Sequence, residues 1–142
     1  KIMQLGAKGV QIASRFVATF ECDANIKFKE SYLNATDNDV EIIKSPVGMP
    51  GRALKGIFLD RVKQGLTAPK SCPYNCLHTC DYKKVPYCIM LALFNAYKGK
   101  MENGYAFAGT NAYLANKIVS VKEVINELVF DFERTRLAVL TV

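Results

Sequence analysis

Helical and extended patterns alternate at the start of the chain, and this order constrains the fold more than any other feature. Residues 1–5 have the pattern of a helix end, and Gly6 follows where a helix stop needs a left-handed backbone. Residues 9–13 predict a short strand buried on both faces, because small and branched side chains suit a covered parallel strand. Residues 22–33 predict an amphipathic helix with Asp23 near its start. The order helix, strand, helix is typical of an α/β protein.

The length limits the size of that α/β fold. With 142 residues, half of them hydrophobic, the chain can form one domain with a buried core. A complete eight-stranded β/α barrel needs roughly 250 residues, so the chain is too short for one. It begins with Lys1 rather than Met, and we expect a processed protein or a piece of a longer one.

Charge and cysteine content indicate the compartment and exclude some partners. The net charge is +6, but both signs are scattered along the chain, which predicts a solvated surface rather than a nucleic-acid interface. No apolar run reaches the roughly 18 residues of a membrane span, and Lys8 and Arg15 interrupt the pattern of a secretory signal. Five cysteines are an odd number, unlike a secreted disulfide framework. We therefore expect a cytoplasmic protein without a nucleic-acid or membrane partner.

Further along the chain, local patterns predict one strand and three helices. A strand is predicted at residues 40–44, followed by a Pro- and Gly-rich loop at 45–51. Apolar spacing predicts a helix over residues 52–64, weakened by Gly56. The remaining predictions are a helix over residues 88–98 that ends at Gly99, a turn into buried backbone at 104–109, and a helix opened by the Ser120–Glu123 capping box that runs through Phe132.

Four cysteines lie close together in the sequence, at Cys72, Cys76, Cys80 and Cys88, with the single histidine, His78, between them. The spacing matches neither paired C-x2-C zinc ligands nor a ferredoxin motif. On a helix the first three would share one face, and a proline at position 73 is compatible with a first helical turn. Packing of small apolar side chains is the favoured interpretation, and a metal or cluster site and thiol redox chemistry remain alternatives. No metal site is predicted.

The end of the first predicted strand is a candidate anion site. Small residues there allow a ligand to approach the backbone N–H groups, although a plain core strand would have the same pattern. Arg15 and Arg52 could each pair with a phosphate, but a structural role is favoured for both. Tyr105 and Phe107 could line a pocket, and core packing is the favoured interpretation.

The segment around the first predicted strand resembles a motif of a known family. Residues 6–19, Gly-Ala-Lys-Gly-Val-Gln-Ile-Ala-Ser-Arg-Phe-Val-Ala-Thr, resemble the eighth-strand motif of the nitronate monooxygenases, formerly 2-nitropropane dioxygenases. The flavin-dependent enoyl-ACP reductase II enzymes share the fold of this family. The resemblance covers the C-terminal portion of a family member and continues in the family's order at Glu21, at Phe28 and Lys29, and over residues 45–53, 104–111 and 121–128.

The resemblance implies an α/β fold that is the C-terminal fragment of a TIM barrel, carrying its last strand, with a largely helical C-terminal extension. It also implies the cofactor FMN, with the phosphate bound at Gln11, Ile12, Ala13 and Ser14. Ala13 and Ser14 stand where the family usually has Gly and Thr. Ser keeps the hydroxyl, but a positive φ at position 13 would oppose Ala by roughly 1 kcal/mol.

The activity that the resemblance implies for the full-length protein is oxidation of a small-molecule substrate, an alkyl nitronate, by flavin and O2. The alternative within the class is reduction of an enoyl thioester by NAD(P)H through FMN. The family's catalytic His has no counterpart, since nothing matches His78 to that position, so no catalytic residue is assigned and the chain alone is expected to be inactive. An alternative from another class is a Cys-rich metal- or thiol-binding interaction module.

The same resemblance predicts three segments. Residues 1–33 would form the last β/α unit of the barrel with its phosphate loop, residues 34–103 an inserted, lid-like segment with a Cys-rich helical region, and residues 104–142 a closing segment with the C-terminal helix. A barrel fragment leaves apolar surface uncovered, so we expect it to pair with the remaining N-terminal part of the barrel or to form a homo-oligomer.

Overall fold

The structure, a computed structural model, describes residues 5–78 and 80–140, with side chains as far as Leu137. Residues 1–4, where a helix end is predicted, lie outside the described residues. Gly6, the predicted stop, does have a left-handed backbone, with φ +92°. The described helices are α1 (Ser14–Val17), α2 (Ile26–Leu33), α3 (Ile57–Lys63), α4 (Ile89–Tyr97) and α5 (Val121–Leu140), and the strands are β1 (Val40–Lys44) and β2 (Pro50–Leu54).

The sheet is an antiparallel pair in which Val40 lies opposite Leu54 and Lys44 opposite Pro50. The prediction of β1 is confirmed. The prediction of a helix from residue 52 is wrong in its first half, because residues 50–54 form β2 and α3 begins only at Ile57. Residues 50–54 form a strand because they have hydrogen-bonding partners on both sides: β1 on one side, and residues 106–108 on the other through two backbone hydrogen bonds. Apolar spacing alone does not reveal such partners.

The buried core consists of two adjoining clusters. The first joins β1, β2, α3 and α4 around the rings of Phe58, Tyr87 and Tyr105. The second joins α2 to β2 and residues 106–112 around Tyr32 and Leu54. Residues 104–108 therefore lie between the two clusters, as the predicted turn into buried backbone requires.

Helix ends follow local sequence signals closely. Helix α4 begins after Cys88 and is followed by Gly99 at φ +81°, as predicted. At the start of α5, Ser120 Oγ accepts a hydrogen bond from the N–H of Glu123 at 3.1 Å, and the Ser120 N–H donates to Glu123 Oε2 at 2.8 Å, which confirms the capping box. Helix α2 begins later than predicted, because Asn25 caps it through a bond from the N–H of Lys27.

The strand predicted at residues 9–13 is not observed. Residues 7–13 lie in neither helix nor strand, and Val10 is 79% exposed. A parallel strand obtains its hydrogen bonds from neighbouring strands, and no other described part of the chain lies beside this segment as one. The described residues thus form a small α/β domain whose sheet is antiparallel.

The helix considered for the cysteine-rich segment is not observed either. None of the described residues between Lys63 and Ile89 is helical. Asn75 has a left-handed backbone, with φ +44°, which interrupts a helix just before Cys76. No helix within the described ranges is long and apolar enough to cross a membrane.

Candidate functional site

Residues 11–14 form a short irregular segment that leads directly into α1. Ala13 precedes the helix with φ −126° and ψ −56°, so position 13 does not require glycine for its backbone conformation. The Ala13 methyl group is therefore accommodated without strain. No described residue accepts a hydrogen bond from the N–H of Ile12 or Ala13, and these amides remain available to a ligand.

A contact across the chain holds the side chain of Ser14. The N–H of Gly109 donates a hydrogen bond to Ser14 Oγ at 2.8 Å. Since the oxygen is used as an acceptor here, the hydroxyl proton remains free, and no described residue accepts it. The structure therefore adds Gly109 to the predicted group, and no sequence signal indicates this partner, 95 positions away.

Arg15 has a structural role, as favoured from the sequence. Its guanidinium forms an ion pair with Glu127 of α5 at 2.9 Å, and its side chain is only 23% exposed. The pair fixes α1 against α5. Arg52 lies exposed on β2, where its carbonyl accepts a backbone bond from Ala108 at 3.0 Å, and no described acid pairs with its side chain.

The N-terminus of α5 lies next to the same region but is already satisfied. Both carboxylate oxygens of Glu21 accept hydrogen bonds from the N–H of Val121, at 2.9 and 3.0 Å. Hydrogen bonds from the backbone and side chain of Ser120 lower the pKa of Glu123 below its usual range. Two acidic side chains thus occupy this helix end, and an anion would be repelled from it.

The aromatic residues of the closing segment divide between core and surface. Tyr105 is buried and stacks on Phe58, while the Tyr87 hydroxyl donates to the Tyr105 hydroxyl at 3.2 Å. Burial raises the pKa of Tyr105 far above its usual value. The core interpretation of Tyr105 is therefore confirmed, whereas Phe107 is 39% exposed beside β2.

A cavity of about 500 Å³ lies between α2, β2 and α3 and shares no lining residue with positions 11–14. Two of its charged groups are in use within the protein: Asp39 accepts hydrogen bonds from Thr36, which lower the Asp39 pKa, and Lys55 donates to the carbonyl of Asn38. The third, Glu102, accepts a hydrogen bond from the side chain of Asn103 at 3.2 Å. This cavity therefore offers a mostly apolar surface without a described cationic group free to bind an anion.

The four clustered cysteines line a second cavity, of about 140 Å³. Burial raises the pKa of the Cys80 thiol, and the nearby thiols of Cys72 and Cys76 raise it further. All five cysteines of the chain are free, and His78 is exposed and absent from the cavity lining. No three Cys, His, Asp or Glu side chains of the described residues are arranged around a single-ion position.

Comparison with protein-family models shows the family to which the chain belongs. A family model described as nitronate monooxygenase matches residues 1–131. The chain belongs to the nitronate monooxygenase family. This confirms the resemblance carried by residues 6–19 and by the later segments.

Two solved structures resemble this member of the nitronate monooxygenase family. FabK from Thermotoga maritima matches with a TM-score of 0.73 and 25% identity, over 96% of this chain and 40% of that chain. A mutant of the same FabK matches with a TM-score of 0.72 and 24% identity, over 96% and 38%. The chain thus spans about 40% of the length of its solved relative. Among proteins of curated function, none matches significantly.

Proposed function

We propose that this chain is the C-terminal part of an FMN-dependent oxidoreductase and that Gln11, Ile12, Ala13 and Ser14 bind the FMN phosphate. One observation carries the proposal: Ser14 is held by the Gly109 N–H, 2.8 Å away, in a position that leaves its own proton to donate. The family assignment supports the class of cofactor.

The donors of this segment fit a phosphate. The free N–H groups of Ile12 and Ala13 and the hydroxyl of Ser14 follow one another along the chain, and phosphate oxygens accept hydrogen bonds from such groups. Residues 6–20 contain Lys8 and Arg15 but no acidic residue that would repel an anion. The backbone conformation at Ala13 is open to any residue, so alanine in place of the family's usual glycine does not oppose phosphate binding.

The chain's own residues bind and orient the cofactor. Ser14 and the two amides would hold the phosphate, Gly109 fixes the Ser14 side chain, and the Arg15–Glu127 pair fixes α1 behind it. The chemistry that FMN supplies when bound is electron transfer between substrate and acceptor. No residue of this chain is assigned to proton transfer at the substrate.

Oxidation of an alkyl nitronate with O2 is the proposed reaction of the full-length protein, because the matching family is that of the nitronate monooxygenases. The similarity to FabK supports a second candidate, reduction of an enoyl thioester by NAD(P)H. Two assays distinguish these reactions: oxygen consumption with propyl nitronate as substrate, and NAD(P)H oxidation with a short enoyl thioester as substrate. Turnover of the thioester alone would reject the nitronate assignment.

The remaining N-terminal part of a TIM barrel is the proposed partner of this chain. A strand-like segment without strand neighbours at residues 7–13 and the 40% coverage of FabK support this. Large apolar side chains are also exposed on residues 5–13 and on helix α5, at Leu5, Val10, Ile125, Leu128, Val129, Phe130, Phe132 and Leu137.

The phosphate site is tested by Ser14→Ala in the full-length protein, with Ser31→Ala on α2 as the control. A hydrogen bond to a charged group contributes about 1.5–3 kcal/mol, so we expect the Kd for FMN to rise by roughly 10- to 100-fold. Riboflavin, which lacks the phosphate, should bind equally well to the variant and the parent. An unchanged Kd for FMN would refute the assignment of Ser14.

A further inference from the structure

The cavity lined by Cys72, Cys76, Cys80 and Cys88 is a feature that the proposed FMN site leaves unexplained. Three of these residues are spaced four apart in sequence, yet no helix brings them together. Turns do so instead: Asn75 adopts a left-handed backbone, and the Cys80 N–H donates to the carbonyl of Leu77 at 3.1 Å. The segment thus folds back so that its thiols face one space of about 140 Å³.

Core packing does not account for these thiols. Neither core cluster contains a cysteine. Cys76 is exposed, and the other three are half-buried rather than enclosed, although a cysteine that serves as a small apolar side chain is usually among the most buried residues. The four thiols therefore share a solvent-accessible space instead of filling the protein interior.

The size of the space distinguishes between kinds of ligand. A single zinc ion needs its thiolates about 2.3 Å from one point, and no three such donors of the described residues surround a common point. A cluster of several iron and sulfide ions is held by four thiolates placed around a larger body. The space of about 140 Å³, which the four cysteines line together with other residues, holds several water-sized volumes of about 30 Å³ each and has room for such a body.

The charge of the segment is also compatible with an anionic centre. Residues 70–88 contain Lys70, Lys83 and Lys84 but only one acidic residue, Asp81. Lys84 pairs with Asp81 at 3.1 Å, which leaves the net charge of the segment positive. This net positive charge would offset part of the negative charge that four thiolate ligands bring to a bound centre.

We propose that Cys72, Cys76, Cys80 and Cys88 bind an iron–sulfur cluster. As each sulfur–iron bond forms, the thiol gives its proton to solvent. Ferrous and ferric iron supplied together with sulfide provide the atoms and the charge of the cluster, so assembly needs no further oxidant. This site is independent of the FMN site, and either can fail without the other.

The test uses the full-length protein purified without oxygen and reconstituted with iron and sulfide. Iron and acid-labile sulfide are assayed, and the reduced protein is examined by electron paramagnetic resonance, in which a paramagnetic cluster gives a signal distinct from that of a flavin radical. We expect iron and sulfide in equal amounts. Cys76→Ser and Cys80→Ser should each lose them, whereas Cys22→Ser, outside the cavity, should retain them.

Because Cys76 is exposed, its replacement should leave the fold intact, and circular dichroism together with FMN binding verifies this. Absence of iron and sulfide after reconstitution would overturn the proposal. Zinc in place of iron would do so too, as would iron retained in full by a folded Cys76→Ser variant.

Discussion

Replacement of Gly104 by Ala should strongly destabilise the protein. Gly104 lies where the closing segment crosses α4, and a Cβ atom there would lie 2.0 Å from the carbonyl oxygen of Ala92 and 2.7 Å from the amide nitrogen of Ala96. Both are backbone atoms in a helix, which cannot move as a flexible side chain would. The φ of −163° is open to any residue, so the cost is steric rather than conformational.

The expected magnitude follows from those distances. Overpacking typically costs about 1–3 kcal/mol, and a clash with rigid backbone belongs at the upper end, so we expect a loss of about 3 kcal/mol in the free energy of unfolding. The displaced segment continues to Gly109, which holds Ser14. Weaker FMN binding should therefore accompany the loss of stability.

The assay is urea unfolding of the full-length protein followed by circular dichroism, with Gly109→Ala as the matched control. A Cβ at Gly109 would meet Ser14 Oγ at 3.4 Å, an ordinary contact, and its φ lies outside the left-handed region. We expect that change to be neutral or to stabilise by about 0.4–1 kcal/mol. Equal stability of Gly104→Ala and the parent, or equal losses at both glycines, would refute the steric argument.

Three further predictions concern stability and association. Burial raises the pKa of Tyr32 from 10.0 to about 12 in the folded protein, so the contribution of Tyr32 to stability is complete below pH 10 and is lost as pH rises towards 12. Between pH 10 and 12, the free energy of unfolding should therefore decline less steeply for Tyr32→Phe than for the parent protein. Parallel declines would reject the role of Tyr32. Ser120→Ala should cost about 1 kcal/mol by removing the cap of α5, and an unchanged urea midpoint would show that the cap is dispensable. The 142-residue chain expressed alone should self-associate through its exposed apolar side chains, and light scattering that reports a monomer would contradict this.

Local interactions explain which elements could be predicted from sequence. The Ser120–Glu123 box and Gly99 act on neighbouring backbone groups, so the start of α5 and the end of α4 agree with prediction. Strand β1 likewise has the expected bounds. The order of motifs from residue 6 onward was sufficient to identify the family, because a motif order is a property of the sequence itself.

Contacts with residues distant in sequence determined the elements that could not be predicted. Residues 52–54 have helical spacing but form a strand, because β1 and residues 106–108 supply hydrogen bonds on both sides. Residues 9–13 have strand-like composition but form no strand, because no strand among the described residues lies beside them. The Ser14–Gly109 contact and the shared cavity of the four cysteines also join groups that sequence spacing does not relate. Sequence therefore determined the helix ends, β1 and the family, whereas tertiary structure determined what each segment pairs with, because strands and binding sites are completed by atoms that lie elsewhere in the chain.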